Sequence, residues 1–373
     1  MRKPMWALLS VLAVVLAFPA AGVTKQHGGT LNLIAWEGYT QPQWVKPFTK
    51  KTGCVVHQKY GGSSDEMVTL MRSGGGGQYD MVSASGDASL RLIYGKDVQA
   101  VDPSKIPDFK NFNKVFQSPP NNTVDGKHYG ISLQWGPNTL LYNTKKVRPA
   151  PRSWRALYDP RYKGKVTIPD NPIQIADAAL YLMKTKPDLK ITNPYALDDT
   201  QLAAAKDLLV QQKSLIGKYW GTAQEEIDGF ANGDMTIGTA WQYQANTINA
   251  AGAKKVEVTK PKEGATGWSD TWMISSVAKH PNCMYAWMDY IISPKANAQV
   301  TVYFGEAPVS DAACAEAEKL SAGHCDTFHA KDETYFSDVY YWNTPVKSCL
   351  DGRGDICTDF DAWTKVWTEV TGG

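Results

Sequence analysis

Several short stretches set large aromatics, an acid, or both, where an apolar run ends. They are Trp36-Glu37-Gly38-Tyr39, Ser85-Gly86-Asp87, Asp170 and Trp241, and Trp268-Ser269-Asp270 sets the same groups in a turn. A carboxylate accepts charged hydrogen bonds. Indole and phenol rings offer a face that attracts cations and an apolar body that covers hydrocarbon. A purely structural or adhesive chain has no need to repeat such groupings, so their recurrence points to a ligand cleft. Catalysis finds less support. No GxSxG elbow is present for a serine hydrolase. The histidines, His27, His57, His128, His280, His324 and His329, are scattered. His324 and His329 flank Cys325, which reads as a surface loop pinned by a disulfide. Tyr340 and Tyr341 lack the oxygen-rich set that a ferric ion needs. No metal or cofactor is expected.

The residues need elements to hold them, and the first part of the chain alternates. A strand is predicted over 31–36, a helix over 43–51 and a second strand over 54–60. Ser63 with Glu66 three residues on makes a capping box, opening a helix that runs to Met71 before glycines 74–77 break it. A strand over 79–85 and a helix over 88–94 follow. Alternation at this spacing means βαβ units on a parallel sheet, which binds ligands beyond the carboxyl ends of its strands. Trp36, Glu37 and Tyr39 stand at one such end, and Ser85 and Asp87 at another. Residues 102–127 form a proline- and asparagine-rich connector. Strands over 129–133 and 140–143 then flank QWGPN, where Trp135 reads as part of a hinge or a cleft wall.

Farther on, a strand over 165–168 ends at Asp170, and one over 235–240 ends at Trp241. Helices are predicted over 175–183, 201–211 and 225–231, and a strand over 255–259. Residues 264–270 read as a turn carrying Trp268 and Asp270, followed by an extended 272–275 and a helix over 281–292.

Arg2 and Lys3 precede an apolar run over 5–18, and Ala20, Ala21 and Gly22 follow. These are the parts of a secretory signal over residues 1–22, whose apolar run is shorter than the ~20 apolar residues of a membrane span. Without Arg2 and Lys3 the formal net charge of +2 falls to about zero. Charges of both signs are scattered, so there is no basic face for nucleic acid. About 350 remaining residues suggest two domains. The total of six cysteines suits an oxidising compartment. Cys314 with Cys325, and Cys349 with Cys357, are close enough to close short loops. Cys54 and Cys283 then remain as a long-range pair or two buried thiols. No paired CxxC marks a zinc site.

WEGY at 36–39, PFTKKTGCVV at 47–56, SSDEM at 63–67 and YDMVSAS at 79–85 carry a resemblance. It continues through YGISLQWGPNTLLYN at 129–143, SWRALYDPRYKGKV at 153–166 and GWSDTWMI at 267–274. The chain resembles the periplasmic substrate-binding proteins of bacterial polyamine importers of the ABC type, the spermidine- and putrescine-binding group. Its closing region, from GHCDTFHAKDETYF to ICTDFDAW, looks like a less well-defined polyamine-binding subgroup.

The resemblance implies an α/β, two-lobed, type II-like binding-protein fold, each lobe a sheet flanked by helices with the cleft between them. It implies lobe 1 at 28–135, lobe 2 at 136–262, a return to lobe 1 at 263–305, and a segment at 306–373 packing across both. The expected protein is a soluble periplasmic monomer that captures putrescine or spermidine and delivers it to a membrane permease. It is not expected to be an enzyme; a secreted enzyme is the remote alternative.

The family's cleft aromatics fall on Trp36, Tyr39, Trp241 and Trp268, with Asp270 facing an amine. Asp170 takes the first of two acids that the family has near that strand end. The glutamate that commonly follows is missing, since IPDNPIQ offers only Asn171 and Gln174. Glu37 and Asp87 are the acids that would restore the balance from the other lobe, though both also read as solvated acids capping turns, Asp87 above all. The missing acid raises a second candidate ligand, a small amino acid such as 4-aminobutyrate. Its carboxylate would want an arginine fork. Yet no arginine occurs between Arg161 and Arg353, and Arg91 is the nearest candidate, with a lysine or backbone amides at a helix start as replacements for it.

Overall fold

The computed structural model describes residues 28–73, 77–252, 255–279 and 281–372. The expected signal over 1–22 and glycines 74–76 lie outside the described residues. Strands Gly29–Ala35, Cys54–Tyr60 and Met81–Ala84 alternate with helices Pro42–Thr52, Ser64–Ser73 and Gly86–Tyr94. Gly29–Ala35 pairs in parallel with both of the other strands.

Local chemistry explains the helix ends. Pro42 opens the first helix, Trp44 and Phe48 share its buried side, and Gly53 closes it at a left-handed φ of 74°. In the second, Ser63 accepts from the Glu66 amide at 3.2 Å, and the Glu66 carboxylate reaches the Gly62 amide at 2.7 Å. The box forms one residue wider than the spacing predicts.

The larger sheet is organised by Ala265–Ser275, a strand of 11 residues buried at every position. It runs antiparallel to Met81–Ala84 on one side and Gly130–Pro137 on the other, and Val339–Tyr341 joins it in parallel. This corrects the turn expected over 264–270. Gly267 punctuates nothing. A Cβ there would come within 2.5 Å of the Val339 side chain and 3.0 Å of the Gly136 carbonyl, so the residue answers to close strand packing.

The second sheet runs in the order Ile216–Trp220, Val166–Pro169, Ile237–Ala240, Thr139–Asn143, Val256–Thr259. Both sheets mix parallel and antiparallel pairs and carry helices, and they form two lobes. The chain first crosses between them at Asn138. Its amide and its side-chain Nδ2 donate to the carbonyl and hydroxyl of Thr266, each at 2.7 Å. The return crossing enters the Ala265–Ser275 strand, so the two crossings are stitched together.

The end of the chain touches both sheets. Val339–Tyr341 extends the first, while Trp367 of helix Phe360–Thr371 packs edge-on against Tyr219 of the second at 5.5 Å. Phe48, Trp287 and Trp272 form an edge-to-face series at 5.1 and 5.6 Å in the first lobe's core. Full burial of such a ring is worth about 1.5–3 kcal/mol. Cys54–Cys283 fastens the same region, and Cys314–Cys325 and Cys349–Cys357 close short loops. Among the described residues no helix is long and apolar enough to cross a membrane.

Candidate ligand-binding cleft

Strand ends of both sheets converge on one cavity of about 280 Å³. Trp36 to Tyr39 follow Gly29–Ala35, and Ser85 follows Met81–Ala84. From the other lobe come Asp170 after Val166–Pro169, Trp220 ending Ile216–Trp220, and Trp241 after Ile237–Ala240. This is where open α/β sheets hold ligands, because strand and helix directions diverge there.

Asp270 reaches the cavity differently, from within the long buried strand. The pairing of that strand with Gly130–Pro137 shifts register between Ser269 and Thr271, an irregularity of the kind that re-aims a side chain. Asp270 is 4% exposed. The Tyr39 hydroxyl donates to its Oδ2 and the Ser85 hydroxyl to its Oδ1. Burial pushes the Asp270 carboxyl up to about 7, against the pull of those two hydrogen bonds, and the nearby Asp87 charge adds to the rise. Such a group sits at the edge of ionisation near neutral pH, and a cation beside it tips it to the carboxylate.

The aromatics form a continuous wall. Trp220 meets Trp241 at 5.4 Å, Trp241 meets Trp268 at 6.1 Å, and Trp268 meets Phe304 at 5.9 Å, all edge to face. Tyr39 also meets Phe304 edge-on, while Tyr243 stacks on it. The wall therefore spans both lobes. Trp342 adds a further ring from the closing segment. Its amide donates to the Gly267 carbonyl at 2.6 Å, and Thr344 Oγ1 donates to the Gly86 carbonyl at 3.0 Å.

The charge of the lining is one-sided. Glu37, Asp170 and Asp270 face the cavity, and among the described residues no lysine, arginine or histidine does. Asp170 is exposed, and its Oδ1 accepts from Trp367 Nε1 at 2.9 Å. The start of helix Ala223–Asn232 also lines the cavity, and a capping box engages the amides of Gly221 and Glu225 there. Glu225 N donates to Thr222 Oγ1, and the Glu225 carboxylate takes the Gly221 amide at 2.7 Å. Arg91 stands elsewhere, paired with Asp65 at 2.5 Å and lying 4.1 Å over the Phe360 ring.

Two residues expected at the ligand are not in the lining. Asp87 is fully buried and accepts from Ser64 Oγ at 2.8 Å and from Asn171 Nδ2 at 3.2 Å. It ties one lobe to the other, because the first turn of helix Gly86–Tyr94 delivers it to the lobe boundary. Nor is it the solvated cap considered from sequence. Trp135 is 0% exposed and packs against Phe336 at 4.4 Å and Tyr341 at 6.0 Å. It pairs with Ser269, the neighbour of Asp270, and the two-residue period sends it to the opposite face.

Sequence reasoning misses Trp220, Tyr243, Phe304 and Trp342. The strand ending at Trp220 reads IGKYW, whose glycine and lysine hide its period. Phe304 is signalled only by the helix-stopping Gly305, and Trp342 by nothing periodic.

Residues 80–337 match the model of the bacterial extracellular solute-binding proteins. The putrescine-binding periplasmic protein SpuD of Pseudomonas aeruginosa is 28% identical over 310 residues, covering 78% of this chain and 82% of the relative. The spermidine/putrescine-binding periplasmic protein of Escherichia coli is 24% identical, with 80% and 83% covered. Among solved structures, the spermidine/putrescine ABC transporter substrate-binding protein PotD from Streptococcus pneumoniae aligns at a TM-score of 0.71 and 19% identity. That alignment covers 91% of this chain and 97% of that one. The fold is that of the type II periplasmic binding proteins. With more than half its length matched, the chain belongs to the bacterial extracellular solute-binding proteins, which serve ABC transporters as binding components and not as enzymes.

Proposed function

We propose that this protein captures a short polyamine, putrescine or spermidine, in the periplasm and hands it as a monomer to the permease of an ABC importer. One observation carries the reading: the cavity presents the carboxylates of Glu37, Asp170 and Asp270, an aromatic wall, and no basic side chain among the described residues. A diamine needs acids for its ammonium ends and flat apolar faces for its methylenes. Asp270 takes the first ammonium at the closed end, with its oxygens oriented by Tyr39 and Ser85. Trp36, Trp241 and Trp268 cover the chain. Asp170 and Glu37, both exposed, receive the distal ammonium.

In this reading residues 28–135 and 263–305 form one lobe, 136–262 the other, and 306–373 spans them. Contacts from both lobes favour closure because only the closed state makes them together. The amino-acid alternative wants a donor fork that Arg91 does not supply from its place beside Asp65 and Phe360.

Calorimetric titration of the ligand-stripped protein with putrescine, spermidine, 4-aminobutyrate and choline tests the proposal. Tight binding of the diamine or triamine is expected. Binding of 4-aminobutyrate alone, or of no amine, would overturn it.

A further inference from the structure

Glu306 is a buried acid that the reading above leaves without a task. It follows Gly305, whose φ of 84° ends helix Pro294–Phe304, and it is 1% exposed. Its side chain lies behind the aromatic wall. Oε2 fills the space over Gly136, 2.1 Å from where a Cβ would stand, and the Trp268 ring is 3.1 Å from that same point. Oε1 has no hydrogen-bond partner. The carboxylate faces the backbone amide of Gln242, the first residue of helix Gln242–Ala250 on the other lobe.

The titratable groups around Glu306 are Asp270, Tyr39 and Tyr335, which feel its charge, and His324, whose Nε2 meets its main-chain carbonyl at 2.9 Å. Among the described residues no lysine or arginine forms an ion pair with it. Burial and the Asp270 charge both hold its carboxyl well above the usual range. Burying an acid with an unpartnered oxygen is costly, and the Gln242 amide offsets only part of that cost.

We propose that Glu306 is a second acid of the ligand site, concealed behind Trp268 and Phe304, which strengthens the grip on a cation at Asp270 through its charge. The inference rests on the reading of the ligand as an organic cation. In the empty cleft Asp270 and Glu306 disfavour each other's ionisation. An ammonium on Asp270 lowers the cost of both charges. The ionised Glu306 then sits against the amino-terminal end of the Gln242–Ala250 helix, where negative charge is stabilised. Charge at the ligand is thereby linked to the contact between lobes. Glu306 does not touch the ligand; it is a positioning residue acting through Asp270.

The test is calorimetric titration of the wild type and Glu306→Gln with putrescine between pH 6 and 8.5, in paired buffers that report protons released. Primary ammonium groups stay charged over this range, their ordinary pKa being about 10. Glu306→Gln is expected to weaken putrescine binding about tenfold at pH 8. It should also flatten the rise of affinity with pH and lower the number of protons released. A residue that serves packing alone would leave both pH readouts unmoved. Should the glutamine variant fail to fold, Glu306→Met offers a neutral side chain of similar length with no hydrogen bonds to satisfy. Unchanged affinity and proton release in a folded variant would overturn this inference alone. A wild type that binds no amine would overturn the proposed function, and this inference with it.

Discussion

The Tyr39 hydroxyl donates a hydrogen bond to Asp270 across 231 residues of chain. With Ser85 on the other oxygen, it fixes the buried carboxyl in the lining of the cleft. Tyr39→Phe keeps the ring against Phe304 and removes the donor. Because that bond favours the ionised acid, putrescine affinity is expected to fall about tenfold, with about 1 kcal/mol of stability lost. Titration and denaturant melts of the variant check both numbers, and unaltered affinity would remove the hydroxyl from the site.

Asp270→Asn should cost at least about tenfold in affinity, a step of ~1.4 kcal/mol. Asp170→Asn should cost less, since Asp170 is exposed and its charge is screened. The two variants titrated side by side give the order; the reverse order would place the principal ammonium at the mouth of the cleft.

Burial lifts Asp270 and Asp177 each to about 7. Both hold a proton more tightly folded than unfolded. Their contribution to stability is therefore complete below about pH 4 and is lost as pH rises through about 7. Ligand-free protein should lose this stabilisation in thermal melts taken from pH 4 to 8, and Asp177→Asn should remove part of the slope. Putrescine affinity should move the other way, rising up to about tenfold per unit below pH 7 and flattening above it. Affinity independent of pH would exclude Asp270 as the acid that meets the ligand.

Gly86→Ala would set a Cβ 1.7 Å from the Trp342 carbonyl, a backbone atom with little room to yield. The segment carrying Trp342 must shift, so about 1–3 kcal/mol of stability and part of the ligand affinity should be lost. Chemical denaturation and titration separate the two effects. Full affinity in a destabilised variant would show that the Trp342 ring makes no useful contact.

Cys54–Cys283 closes a loop of 229 residues between a strand and a helix of the first lobe. Replacing both cysteines by serine should cost about 2–5 kcal/mol by releasing unfolded-chain entropy. Denaturant unfolding of the double variant measures it. Putrescine binding should survive, because neither residue lines the cavity.

Much of the framework is legible in local pattern. The first helix shows its proline start and glycine stop, and the Ser63 and Glu66 box opens the second. Trp36, Tyr39, Asp170 and Trp241 can be found because each ends an apolar run, and the carboxyl ends of strands are where a parallel sheet opens to ligand. The long strand through Asp270 defeats that logic. Its glycine and polar residues look like a turn, yet they lie between neighbouring strands that leave no space for a side chain at Gly267.

By itself, the sequence determined the alternating strands and helices, the concentration of acids and aromatics at strand ends, and the family. These follow from periodicity, capping and residue type, which act over a few neighbours. Only the tertiary structure decided that Asp87 joins the lobes, that Tyr39 and Ser85 hold Asp270 from a strand and not a turn, that Trp135 faces away, and that Trp220, Phe304 and Trp342 complete the wall. It also set Glu306 behind Trp268 with one oxygen unpartnered. Burial, register and partners far away in the chain decide such roles, and no local pattern encodes which distant atoms will share a side chain's surroundings.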